Sequence, residues 1–115
     1  MDNEFLNQIV GEKLSAVVFV MDYIQLQFDG FVLTILNPIT VFDKGISVVS
    51  GNTQFRNLLC DQITKVVKTI ECRENEGLIV EFEDSAKISV SLKPEQYSGS
   101  EAVIFQSLGN VWDVI

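Results

Sequence analysis

The sequence predicts an α+β fold: a mostly antiparallel curved sheet of about eight short strands with two helices, built from two pseudo-repeated halves, 1–50 and 51–115, that share one core. Three observations lead there. Residues 23–35, YIQLQFDGFVLTI, are two runs of alternating apolar and polar residues meeting at Asp29-Gly30, and Asp-Gly supplies the positive φ angles of a type I′ hairpin turn. Residues 78–90, LIVEFEDSAKISV, repeat the device with Glu83-Asp84-Ser85 near the corner. Ahead of each hairpin stands a stretch with helical spacing.

The first such stretch, residues 2–10, carries Phe5, Leu6, Ile9 and Val10 on one face, with Asp2 or Asn3 as N-cap and Gly11 as terminator. Residues 15–22, SAVVFVMD, are β-branched and nearly continuously apolar, the pattern of a strand covered on both faces. In the hairpin, Ile24, Leu26 and Phe28 share the core face and Gln25, Gln27 and Asp29 the other. Asn37-Pro38 ends its second arm, because proline cannot donate to a ladder. Residues 39–42 and 46–49 are short apolar pieces around Asp43-Lys44-Gly45, either a tight hairpin or one strand broken by a bulge.

Gly51-Asn52 interrupts the chain, and residues 53–63 return to helical spacing with Phe55, Leu58, Leu59 and Ile63 as the stripe and Asn52 as cap. Residues 65–72 are strand-like without strict alternation, which predicts a bulge. After the turn RENEG, the second hairpin places Leu78, Val80, Phe82, Ile88, Val90 and Leu92 inward. Lys93-Pro94 closes it, residues 95–99 are a loop or single helical turn, 102–105 a strand, Gly109-Asn110 a turn, and 111–115 a last strand whose Trp112 is expected in the core.

The halves align segment by segment. Phe5, Asn7, Ile9 and Val10 match Phe55, Asn57, Leu59 and Cys60; Ile24, Leu26 and Phe28 match Leu78, Val80 and Phe82; Val41-Phe42 answers Ile104-Phe105. About 50 residues bury too little apolar area to stand alone, so the halves are expected to share a core, with both helices on one side and an approximate two-fold axis between them.

With 115 residues the chain fits one domain, and 47% hydrophobic residues argue against extended disorder. Its start, Met1-Asp2-Asn3-Glu4, is acidic where a secretory signal is basic, and the longest apolar run is too short to span a bilayer; a soluble cytoplasmic protein is expected. Cys60 and Cys72 have no metal-ligand spacing, and there is no histidine to activate a thiol; both read as small buried apolar groups. No phosphate loop, zinc motif, calcium loop or nucleophile elbow is present. No catalytic residue, metal or cofactor is therefore expected, and the chain reads as a non-enzyme.

The net charge of −8, from 16 acidic and 8 basic residues, disfavours nucleic acid and anionic membranes and favours a basic protein partner. The acid concentrates at Glu71, Glu74, Glu76, Glu81, Glu83 and Asp84, with Arg73 the one base between them. Such a cluster either guards an exposed strand against edge pairing or steers a basic partner, for which Tyr97 would serve as an aromatic anchor, as would Trp112 were it not in the core.

The C-terminal run LKPEQYSGSEAVIF, residues 92–105, followed by a terminal strand, resembles the ending of small bacterial proteins of uncharacterised families, some of them similar to immunity proteins of polymorphic-toxin and contact-dependent inhibition systems. The resemblance covers about twenty residues, with Ser100 in place of an expected proline. It implies a cytoplasmic protein that binds and blocks one cognate toxin domain. Two alternatives stand beside it: a homo-oligomeric scaffold or regulatory domain, possible as a homodimer, and a small-molecule enzyme or carrier, which requires a pocket.

Overall fold

The computed structural model describes residues 3–109 and 111–115. Helix α1 (Asn3–Leu6) runs into a 3-10 turn at Asn7–Ile9 and is followed by β1 (Ala16–Val20), β2 (Tyr23–Phe28), β3 (Phe31–Ile35), β4 (Ile39–Asp43) and β5 (Ile46–Val49). Helix α2 (Phe55–Cys60) precedes β6 (Val67–Arg73), β7 (Gly77–Phe82) and β8 (Lys87–Ser91); a 3-10 turn at Pro94–Gln96 leads to β9 (Val103–Gln106) and β10 (Trp112–Val114). The protein is α+β, with these strands in two antiparallel five-stranded sheets of order β1-β2-β3-β9-β10 and β5-β4-β8-β7-β6.

The expected single sheet of about eight strands is thus corrected to ten strands in two sheets. Local chemistry accounts for the first part of the difference. Lys44 and Gly45 both take positive φ, 52° and 76°, and close β4 and β5 into a tight hairpin, as Asp29 and Gly30 do at 49° and 102° between β2 and β3. The second part is long-range. Beyond β3 the chain crosses through Asn37-Pro38, and β4 pairs with β8; β9 returns to pair with β3. Each three-stranded meander is completed by the other segment's hairpin, and the Leu36 and Ser91 N–H groups bridge the crossings to the carbonyls of Ala102 and Pro38, both near 3 Å.

Alternation sets which side chains meet. Leu26, Phe28, Leu33 and Phe105 from one sheet and Val41, Leu78, Val80, Phe82 and Ile88 from the other lie in one buried cluster with Leu6, Ile9 and Leu59 of the helical segments. The inward residues expected of the second hairpin are all buried. Val41 and Phe105 point inward while Phe42 is exposed, so the expected match of Val41-Phe42 with Ile104-Phe105 is one residue out of phase. Phe105 packs edge-on against Phe5 at 5.1 Å and parallel to Phe31 at 6.1 Å, joining α1, β3 and β9.

Other expectations are revised. Strand β1 pairs only with β2; it is an edge strand with Phe19 and Val20 exposed, and its unbroken apolarity does not reflect cover on both faces. Trp112, expected in the core, is 59% exposed on the opposite edge strand. Cys60 is exposed on α2, and only Cys72 is partly buried. The helices are shorter than their apolar stripes, and they contact different strands: α1 meets β6, α2 meets β1, β4 and β5. Of the caps, Asp2 lies outside the described residues, Asn3 Oδ1 accepts the Cys72 N–H at 2.8 Å, and Asn52 Oδ1 accepts the Gln54 N–H at 2.9 Å just before α2. Asn110, expected in a turn, also lies outside the described residues. The irregularity of β6 is a register shift between Val67 and Thr69.

Two predictions follow from this packing. Replacing Phe105, fully buried, with alanine removes both ring contacts and is expected to cost about 3–5 kcal/mol in a urea titration. Thr64 is β-branched, exposed and held at φ 83° while its N–H bonds to the Leu14 carbonyl, a geometry that strains an L-residue by about 1–2 kcal/mol. Thr64→Gly keeps that bond and is expected to raise stability by about 0.5–1 kcal/mol after its own entropy cost, read as a higher melting temperature.

Candidate functional site

The acidic residues singled out in the sequence lie on β6, β7 and their turns, at two separate places. Glu71 is on β6, and Glu74 and Glu76 are in the turn that joins Arg73 to Gly77, where Asn75 supplies a φ of 62°. Glu83 and Asp84 occupy the turn beyond Phe82, closed by the bond from Phe82 N–H to the Ala86 carbonyl, with Ser85 at φ 75°. The length of β7 lies between the two turns, roughly 20 Å at strand rise. Glu81 sits near the Glu83 end of β7, half-buried, opposite Thr69 on one side and Lys87 on the other.

These carboxylates have different surroundings. Glu71 is tied to Arg73 through Nε–Oε1 at 3.0 Å and Nη2–Oε2 at 3.3 Å, and that guanidinium holds its carboxyl below the usual range. Glu74, Glu76 and Glu83 are exposed and, among the described residues, make no ion pair. Burial first, and then the negative charges of Glu74 and Asp113, push the Cys72 thiol up. Tyr97 is half-buried and packs against the core, which leaves part of its ring for a partner.

Asp84 is anchored in a polar cluster that sequence reasoning missed. Lys65 Nζ lies 2.8 Å from Asp84 Oδ2, 3.1 Å from Asp43 Oδ2 and 2.8 Å from Gln62 Oε1. The buried Gln62 amide donates to Asp43 at 3.0 Å and to the Leu58 carbonyl at 2.9 Å. The cluster ties the end of α2 and the approach to β6 onto the ends of β4 and β7. Its members are up to 41 residues apart (Asp43 to Asp84) and share no short-range pattern, so only the fold brings them together. Asp43 is lowered, first by the Gln62 hydrogen bond and also by Lys65; Asp84 is lowered by Lys65 and by the Ala86 N–H. Burial alone pulls Lys65 down, but the bonds to Asp84 and Asp43 outweigh it and its pKa is raised.

An open cleft of about 950 Å³ lies beside the β1–β2 turn, the crossing at Asn37-Pro38 and the approach to α2. Its lining includes Phe19, Tyr23, Asn37, Asn52, Arg56 and Gln96. The Arg56 guanidinium sits 5.7 Å over the Phe19 ring. Asn37 donates Nδ2–H to the Ser91 carbonyl at 2.8 Å, while its buried Oδ1 has no partner among the described residues. Among the described residues no group of three His, Cys, Asp or Glu is placed to hold a metal ion, and no helix is long and apolar enough to cross a membrane.

Set against known proteins, no family model, no curated protein and no solved structure matches the chain.

The lowered carboxylates stabilise the fold above their unfolded pKa and lose that contribution as pH falls through the folded values; the raised ammonium contributes below its unfolded pKa and loses it as pH climbs. The Lys65 cluster is therefore complete from about pH 5 to about pH 10. Lys65→Met is expected to lower stability at pH 7 by about 1–2 kcal/mol, with the exposure of Asp84 keeping its share small. It is also expected to flatten the loss of stability below about pH 4. Urea titrations of both proteins between acid and neutral pH check this.

Proposed function

We propose that the chain is a non-catalytic cytoplasmic protein-binding domain, most concretely an immunity protein that neutralises a cognate toxin domain by covering a basic surface. The observation that supports this most is the exposed acidic end around the β6–β7 turn, where Glu74 and Glu76 project without ion-pair partners among the described residues and Glu71 precedes them on β6. Unpaired carboxylates on a tight turn keep their field, and that field raises the encounter rate with a basic partner and selects against acidic ones. Glu83 extends the surface at the far turn. Asp84 and Glu81, held by Lys65 and facing Lys87, contribute less. The mechanism is occlusion of the site where the toxin holds an anionic substrate.

The duplicated architecture belongs to the same proposal. Helix, three-stranded meander and two-stranded hairpin occur twice in the same order, each hairpin pairs with the other meander, and residues before β1 and β6 bridge each other antiparallel at Lys13 and Val66. A gene duplication accounts for all three. A scaffold role is the second reading, favoured by the uncharged sheet face discussed below. A carrier or enzyme would use the cleft, whose open shape supports it less.

The test is binding to the toxin domain encoded beside this gene. The double variant Glu74→Lys, Glu76→Lys is expected to weaken binding at least ~30-fold, mostly through slower association, and added salt to weaken the unaltered complex. No binding to that domain, or binding indifferent to both changes, would sink the proposal.

A further inference from the structure

The two sheets differ in what they show to solvent. Cross-strand pairing lines up the outward side chains of the first sheet in rows. One runs Ala16, Gln27, Val32, Gln106 and Trp112 from edge to edge. The next runs Val18, Gln25, Thr34, Ile104 and Val114, and Val20 opposite Tyr23 begins a third. Every one of these positions is uncharged. The outward face of the second sheet carries Glu71, Arg73, Glu81 and Lys87 on β6, β7 and β8. A one-sided antiparallel sheet normally wets its outer face with polar and charged side chains; in a chain with 24 charged residues the paired positions of this face carry none, and the exposed Asp29, which continues the Gln25 and Gln27 side, lies beyond them in the β2–β3 turn. The apolar members on its edge strands are the most open, with Trp112 59% exposed, Val114 48% and Val20 41%, while Val18, Val32 and Ile104 are half-buried beside their neighbours.

We propose that this face is the contact between two copies of the chain, stacked sheet on sheet about a two-fold axis. Charge selects this occupant. A copy with net charge −8 meets another at least electrostatic cost where few carboxylates face each other, and the paired positions of this face satisfy that, with Asp29 at the rim. A basic partner gains nothing from a surface with no charge to complement. The composition is that of an interface core, depleted in charge and holding Trp and Tyr, and sheets stack face to face at about 10 Å. Five strands at about 4.8 Å spacing and about 15 Å of ladder make a projected face of roughly 400 Å². Such a face lies at the low end of interface sizes, the range of weak or transient pairs. Association in the micromolar range is expected. The inference does not depend on the acidic turn, which remains exposed in such a dimer.

Sedimentation equilibrium across about 1–200 μM is the test. The unaltered chain is expected to pass from 12.9 kDa to twice that mass, and added salt is expected to tighten the pair by screening the remaining repulsion, the reverse of its effect on an electrostatic partner. Val18→Lys and Trp112→Lys, each checked for an unchanged circular dichroism spectrum and melting temperature, are expected to weaken association at least ~50-fold, whereas Ser89→Lys on the second sheet leaves it unchanged. Should Val18→Lys unfold the chain, Trp112→Lys decides alone, because its exposed side chain supports no core. A monomer at the highest concentration, or a dimer indifferent to the lysine on β10, overturns the proposal.

Discussion

The pairing of β3 with β9 and of β4 with β8 is the constraint on which everything else rests. Each ladder joins strands that are about 50 to 70 residues apart in the chain, and each sheet is a meander left incomplete until a hairpin from the other half arrives. Without those two ladders Phe105 has no place between Phe5 and Phe31, and Val41 does not enter the cluster with Ile88. The helices are too short to stand without tertiary support. They pack where the exchange has already closed the core, with Leu6 and Leu59 fully buried.

What was legible in the sequence was whatever depends on nearest neighbours. Asp29-Gly30 announces its own turn, because its φ angles are a property of two residues. The inward faces of β7 and β8 follow from a two-residue period that the structure keeps without a slip from Leu78 to Phe82. What was not legible depends on which strands become neighbours. The continuous apolarity of β1 looked like burial on both faces, but one of those faces is the uncharged outer surface, and residue type alone cannot separate a strand covered by its own fold from one left for another surface. For the same reason, only the fold separates the two readings of Trp112, core or contact, by putting it on an edge strand. The Lys65 cluster draws on four elements, and no local pattern marks Gln62 as the buried amide that orients Asp43.

Of the acidic residues, the sequence located the charge and missed its division. Reading along the chain merges Glu71, Glu76 and Glu83 into one run, while a hairpin sends its two turns to opposite ends. Part of the acid is consumed internally by Lys65 and Arg73, and the part left free sits mainly at the β6–β7 turn. The molecule is therefore polar in a geometric sense: carboxylates gather at strand ends and turns, and one broad sheet surface is kept clear of them.

The exchange of hairpins changes what the link between the halves does. Gly51 and Asn52 are exposed and lie outside both sheets, so the backbone there carries no ladder. Its contribution is to keep two mutually incomplete pieces at high local concentration, turning what would be an encounter between separate molecules into a ring closure whose entropic cost grows only slowly with length. Covalent continuity at that point lowers the entropic cost of the halves meeting, while the ladders fix the arrangement they reach.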